Sequence, residues 1–286
     1  MKDLSNENVI HVKKNGVEFL QFRKLLEYSD ILNHAYCLGV DKNFRTETIN
    51  HTPLSEENLT KAINNYKELA EAIDSDYKHV VKSRQKHTKN VKCVNQKGKE
   101  PELFSEKYQN TDGLITNQAK IMLSTTNADC ILLLFFDPVK KVIANTHSGW
   151  RGTLQRISVE TVEKMQKEYG SSPDDIICCM CPSIHKCHFE VEKEVKEEFK
   201  NEFKELPSEM FIKETEPNKK WNIDTIYINR QILKKAGLQE KNIIDSNICS
   251  VCESNQIHSY RAEGKNYGLT TAIIEIKGWN FLRFLI

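Results

Sequence analysis

Two short segments carry the side chains best suited to chemistry: Thr125-Thr-Asn-Ala-Asp-Cys130 and Asn145-Thr-His-Ser-Gly-Trp-Arg-Gly152. Each lies beside an apolar run, Ile131 to Phe136 for the first and Val142 to Asn145 for the second. A buried strand fixes its backbone and presents the side chains at its end to a cleft, where sites on layered α/β folds tend to lie. If the two runs pair as an antiparallel hairpin through Asp137-Pro138, Cys130 and His147 meet at one sheet edge. Cys130 lies about seven residues before the turn and His147 about nine after it, which fits strand register.

A Cys and a His in one place permit two chemistries. One is a nucleophile pair in which the imidazole lowers the thiol pKa. The other is a metal site, which needs a further ligand. His87, in Arg84-Gln-Lys-His-Thr88 just after a predicted strand, is the best candidate. One thiolate and two imidazoles suit Zn²⁺ and leave a fourth position for water or substrate. From spacing alone, a buried Cys beside hydrogen-bonded histidines is an equal alternative. Gly149-Trp-Arg-Gly152 adds a tight strand-to-helix turn that allows close approach. Arg151 then falls near a helix N-terminus, suited to a phosphate or carboxylate; the alternative is a surface ion pair.

The remaining thiols promise less. Nine cysteines, an odd number, with no signal pattern at the N-terminus, argue for reduced thiols rather than a disulfide framework. Cys249-x-x-Cys252 alone reads as neither a zinc knuckle nor a redox pair. The group Cys178, Cys179, Cys181, Cys187 and His188 tempts a metal assignment, but Cys178 and Cys179 point to opposite faces of a strand. Packing is the better reading there. His258-Ser-Tyr-Arg261 is expected on a strand edge, either binding polar substrate groups or forming a half-exposed face.

The elements that must position these residues mix strands and helices. Val9 to Val12 and Val17 to Leu20 flank Asn15-Gly16, a type I′ hairpin signal. Apolar spacing predicts helices over 55–73, after Gly152 up to a stop at Gly170, over 190–203, and over 224–236 with a stop at Gly237. Strands are expected around 79–81, 90–94, 121–124, 131–136, 142–145, 175–180, 257–261 and 269–276. The charged stretch 95–111 reads as a surface loop, the only plausible seam. Without strict alternation the class is α+β, mixed α/β layers in one domain spanning 1–286. Lys+Arg 41 against Asp+Glu 40 leaves a net charge of +1, which gives no bulk attraction to nucleic acid or a membrane surface. The run Ile131 to Phe136 is too short to span a bilayer, so a cytoplasmic protein is expected.

These motifs together resemble a known family. Thr126-Asn-Ala-Asp-Cys130, Asp137, His147-Ser-Gly-Trp-Arg-Gly152, Pro182-Ser-Ile184 with Phe189-Glu-Val191, and Ser259-Tyr-Arg261 recur in that order in the multicopper polyphenol oxidoreductase laccase family. This is also called the YfiH or laccase-domain family and includes purine nucleoside phosphorylases. Gln85-Lys-His87, Asp112-Gly-Leu-Ile115, Asp224 with Asn229, and Ile248-Cys-Ser-Val-Cys252 also fit, so the resemblance runs from about His34 to Ile276. Departures include Cys181 before Pro182, Tyr260-Arg261-Ala262 in place of Tyr-Arg-Arg, and Gly268-Leu269 in place of Gly-Arg.

The resemblance implies a single-domain fold of α/β/α/β layers, shared with a bacterial toxin's cysteine-hydrolase domain. It implies zinc on His87, Cys130 and His147, the residues the chemistry nominated, with Cu²⁺ binding adventitiously in vitro. It also implies phosphorolysis of adenosine, inosine, guanosine and methylthioadenosine, together with adenosine deamination. The partners are then nucleosides and phosphate, with no nucleic acid and no membrane, and a monomer or weak homo-oligomer is expected. Arg151 and Arg261 would hold phosphate and Gln85 would line the substrate site. Asp129 would act as an acid/base or orient a ligand. Zinc would activate a water for attack at purine C6. The rivals are a Cys–His amidase acting on peptidoglycan precursors, with Cys130 as nucleophile and His147 as base, a polyphenol oxidase (laccase), and a non-catalytic binding protein. Nine histidines are too few for a true multicopper oxidase.

Overall fold

The computed structural model describes residues 1–48, 53–95 and 98–278. Two mixed six-stranded sheets face one another. In the first, 9–14, 17–22, 32–37, 270–276, 122–127 and 80–82 lie side by side in that order; in the second, 243–245, 177–180, 131–137, 142–148, 113–116 and 91–93. The strand Ile131–Asp137 shows how the sequence builds this. It is buried throughout, and alternate side chains enter different cores. Leu132, Leu134 and Phe136 meet Tyr36, Leu123 and Ile274 of the other sheet. Leu133 and Phe135 meet Val162, Met165 and Leu233 of the outer helices. A strand covered on both faces has no polar side to alternate, hence the unbroken apolar run.

On the far face of the first sheet, Phe19, Ala35 and Ile273 pack against Tyr66, Leu69 and Ala70 of the helix Glu56–Ala72. That helix starts where Ser55 Oγ accepts from the Asn58 N–H at 3.2 Å, an N-cap. The layers therefore run helix, sheet, sheet, helix. A small three-stranded sheet of 190–191, 220–223 and 212–216 sits at one end with the helix Lys193–Glu202.

Most predicted elements are present. Asn15 and Gly16 take φ of 53° and 77°, as a type I′ turn requires. The central hairpin pairs Leu132 with His147 and Ile131 with Ser148. Four expectations need correction. Residues 257–261 form no strand: the Ser259 side chain caps the Ala262 N–H and the Arg261 N–H goes to Asp129, so a short helix, Tyr260–Glu263, forms instead. Residues 190–191 pair with Trp221 and Asn222, so the helix begins only at Lys193. The helix expected after Gly152 starts earlier and is two pieces, Trp150–Leu154 and Ile157–Tyr169, broken where Arg156 turns to φ 58°. Of the stretch 95–111, residues 96 and 97 lie outside the described residues, and 98–111 is less peripheral than its charge suggests. Leu103 and Tyr108 are buried, and Glu102 exchanges main-chain bonds with Val80 and Lys82 at the sheet edge. Among the described residues, no helix is long and apolar enough to cross a membrane.

Candidate metal centre and cavity

Three chain segments deliver His87, Cys130 and His147 to one point. His147 lies within the strand Val142–Ser148, Cys130 immediately before Ile131–Asp137, and His87 in the loop after Val80–Lys82. Their donor atoms all fall within 4.8 Å of one another. Cys130 Sγ stands 3.8 Å from His87 Nε2, and the two imidazoles meet edge to face with centroids 4.9 Å apart. Around a tetrahedral Zn²⁺ with bonds of about 2.3 Å to sulfur and 2.0–2.1 Å to nitrogen, a sulfur and a nitrogen stand roughly 3.5–3.6 Å apart and two nitrogens roughly 3.3–3.4 Å. This donor set thus fits a zinc ion with one position left over.

Asp112 holds the cluster together. It is fully buried in the loop that leads into Gly113–Thr116. Its Oδ1 accepts from the His87 N–H at 3.0 Å and faces His147 Nδ1 at 2.9 Å. Its Oδ2 accepts from the N–H groups of Lys86 and Thr88 and from the Thr88 hydroxyl. The loop around His87, whose φ is 58°, is wrapped around one carboxylate. With His147 Nδ1 turned to Asp112, Nε2 is left for the site, the arrangement that orients metal-binding imidazoles. In the sequence Asp112 stands in the run Asp112-Gly-Leu-Ile115, and no spacing ties it to the two histidines.

The protonation states follow from this crowding. Burial would push the Cys130 thiol up, but His147 and then His87 outweigh it and hold the pKa down at about 6. Burial alone would lower His147, yet Cys130 and Asp112 raise it to about 9. Asp112, against its own burial, is held down at about 2 by His147 and the Thr88 bonds. Without metal, the trio is therefore a thiolate, an imidazolium and a carboxylate in a row.

Glycine is required at 149. A Cβ there would stand 2.6 Å from His87 Cδ2 and 3.1 Å from Cys130 Sγ. The tight approach expected of this turn is thus to the two ligands themselves.

His87 and Cys130 open onto a cavity of about 460 Å³, also lined by Trp150, Arg151, Arg261, Tyr260 and Tyr267, within the size range of small-molecule sites. The Arg151 guanidinium lies 4.1 Å over the Trp150 ring. It makes no ion pair among the described residues. Arg151 is the second residue of the short helix Trp150–Leu154. Arg261 lines the same cavity while donating to the carbonyls of His188 at 2.7 Å and Glu190 at 3.0 Å. Tyr260 and Tyr267 meet edge to face at 5.1 Å on the cavity wall.

Asp129 also borders the cavity, but its carboxylate is occupied. Oδ1 accepts from the Ser250 hydroxyl at 2.6 Å and Oδ2 from the Arg261 N–H at 2.7 Å, with the Asp129 backbone at φ 84°. Gln85 clamps the end of a strand: its amide donates to the Thr126 carbonyl at 2.7 Å and accepts from the Thr126 N–H at 2.8 Å. It borders a smaller adjoining hollow shared with His87 and Tyr267. Phe189 and Tyr260 stand in motifs that the sequence already marks, whereas Tyr267 carries no sequence signal; the three line one cavity only in the tertiary structure.

Comparison with known proteins agrees with this architecture. The family profile for multi-copper polyphenol oxidoreductase laccase matches residues 39–277. The purine nucleoside phosphorylase YlmD of Bacillus subtilis is 29% identical over 218 residues, covering 75% of this chain and 77% of that protein. The adenosine deaminase RL5, from an unknown prokaryotic organism, is 32% identical over 204 residues, covering 71% and 77%. The crystal structure of the Bacillus licheniformis hypothetical protein YfiH superposes with a TM-score of 0.77 at 23% identity, covering 91% of this chain and 96% of that one.

Proposed function

As the chain belongs to the multi-copper polyphenol oxidoreductase laccase family, we propose that it is a zinc-dependent purine nucleoside enzyme of the cytoplasm. Its reactions are phosphorolysis of adenosine, inosine, guanosine and methylthioadenosine, and deamination of adenosine. One observation carries this reading: a Cys–His donor set, two arginines and two tyrosines share a single cavity. Relatives named purine nucleoside phosphorylase and adenosine deaminase support it. All nine cysteines are unpaired, which fits a reducing compartment.

Zn²⁺ held by His87, Cys130 and His147 would supply Lewis acidity beside the bound nucleoside. The chain's own residues do the rest. Asp112 fixes the His147 tautomer so that Nε2 is offered to the site. Tyr260 and Tyr267 present ring surface against which a purine stacks. Arg151, with no carboxylate to neutralise it among the described residues, holds phosphate together with Arg261. Asp129 positions Arg261 through its main-chain N–H. In phosphorolysis a phosphate oxygen bonds to ribose C1′ as the C1′–N9 bond breaks. The electron pair leaves with the base, which takes up a proton. The arginines oppose the charge on the attacking oxygens. In deamination, water adds at C6 and ammonia departs.

A second reading has an observation of its own. A thiol held near 6, an imidazole and a buried carboxylate in a row match a cysteine hydrolase, with Cys130 as nucleophile, His147 as base and Asp112 orienting it. An amide such as a peptidoglycan precursor would be the substrate.

The test is phosphate-dependent adenine release from adenosine together with zinc analysis, on the wild type and Cys130→Ala. The nucleoside reading expects the variant to lose turnover and about one zinc per chain. Wild-type protein that fails to release adenine, yet cleaves amides after chelation and loses that activity on alkylation, would make the hydrolase correct.

A further inference from the structure

A second group of soft donors lies outside the catalytic centre. Cys187 and His188 sit in a turn before the strand Glu190–Val191; Cys249 and Cys252 sit in the turns after the strand Ile243–Asp245. About sixty residues separate the pairs, and read singly neither signals a metal. The fold joins them. Ser183 and Cys249 form a parallel bridge, with the Ser183 N–H donating to the Ile248 carbonyl and the Ser250 N–H to the Ser183 carbonyl. The four donor atoms then fall within 4.8 Å of one another.

The geometry points to a second, structural zinc site, with three thiolates and one imidazole closing a tetrahedron. His188 Nδ1 stands 3.2 Å from Cys187 Sγ and 3.6 Å from both Cys249 Sγ and Cys252 Sγ, and Cys187 Sγ stands 4.0 Å from Cys252 Sγ. Tetrahedral Zn²⁺ requires sulfur–nitrogen separations of roughly 3.5 Å and sulfur–sulfur separations of roughly 3.8 Å. Four protein donors leave no position for substrate, and a Cys₃His set is a structural one. Thiolate-rich sites select Zn²⁺ over the hard cations Mg²⁺ and Ca²⁺.

The ion has a mechanical task. His188 gives its carbonyl to Arg261, and Ser250, between the two cysteines, gives its hydroxyl to Asp129. Asp129 in turn accepts the Arg261 N–H. Clamping the two turns fixes two of the three groups that hold Arg261 on the cavity wall, the His188 carbonyl and, through Ser250, the Asp129 carboxylate. The site does not depend on what the cavity binds.

The experiment counts zinc in full-length protein purified under reducing conditions: wild type, Cys130→Ala, and the double variant Cys187→Ser with Cys252→Ser. Two zinc sites predict about two ions per chain in the wild type and about one in each variant. Cobalt titration of Cys130→Ala gives a readout independent of the double variant's folding: three thiolate ligands produce strong sulfur-to-metal charge transfer, which the additional Cys249→Ser change reduces. About one ion in the wild type, lost in Cys130→Ala and retained in the double variant, would overturn the second site and leave the catalytic one standing. The reverse pattern, one ion retained in Cys130→Ala and lost in the double variant, would uphold the second site and remove the first. A Cys187–Cys252 disulfide in the purified protein, found by counting free thiols, would also overturn it.

Discussion

Among the described residues stand two Cys/His clusters, and they are built in opposite ways. At His87, Cys130 and His147 three donors come from a loop and two strand ends, a buried carboxylate stands behind two of them, and the open side faces a cavity. At Cys187, His188, Cys249 and Cys252 four donors come from two turns held together by main-chain bonds, with two of the thiols exposed. A three-donor centre on rigid strands keeps a position for chemistry; a four-donor centre on turns spends every position on holding chain together. Strand ends fix the first geometry, whereas a short main-chain bridge, Ser183 to Cys249, joins the turns of the second. Arg261 is where they meet, since it lines the cavity and bonds to the His188 carbonyl.

The sharpest way to separate the two is Asp112→Asn. Asp112 serves only the first cluster, and loss of such an orienting carboxylate costs about 10–100-fold in metal affinity. Competition with a chelator should show one weakened zinc and one unchanged; equal weakening of both would break the contrast. Next is thiol chemistry in metal-stripped protein. With Cys130 held at about 6, its thiolate is about nine-tenths formed at pH 7 and falls about tenfold for each unit well below that value. Alkylation at Cys130, followed by peptide mass analysis, should rise up to about pH 7, one unit above that pKa, and then level off, while Cys178, pushed above the ordinary thiol range by burial, stays unmodified. A Cys130 rate still climbing toward pH 9 would mean that His147 and His87 do not hold the thiolate. The smallest effect is expected of Arg261→Lys. An ammonium cannot span the carbonyls of both His188 and Glu190. Loss of one hydrogen bond, about 1 kcal/mol, corresponds to about a fivefold rise in KM for phosphate with kcat little changed. A fall in kcat with KM unchanged would instead place Arg261 in transition-state stabilisation.

The first cluster was largely legible in the sequence because its parts follow strand arithmetic. An unbroken apolar run marks a strand covered on both faces, and a hairpin fixes which residues face each other, so Cys130 and His147 could be brought together on paper. His87 could be nominated by residue type, but its place depended on a loop folded around Asp112. The second cluster was not legible. Periodicity assigned 190–203 to one helix and 257–261 to a strand, while pairing of 190–191 with Trp221 and Asn222 decided the first otherwise and capping by Ser259 and the Asp129 carboxylate the second. Bonds between a side chain and a distant main-chain N–H leave no periodic trace.

By itself the sequence determined the layered α+β class, the central hairpin and the residue types of a candidate metal centre, because these depend on alternation, turn chemistry and ligand softness. Only the tertiary structure decided that Asp112 organises both histidines, that Gly149 must lack a side chain, and that Cys187 and His188 lie against Cys249 and Cys252. Those are contacts between segments far apart in the chain, and their distances are set by how the sheets and turns pack.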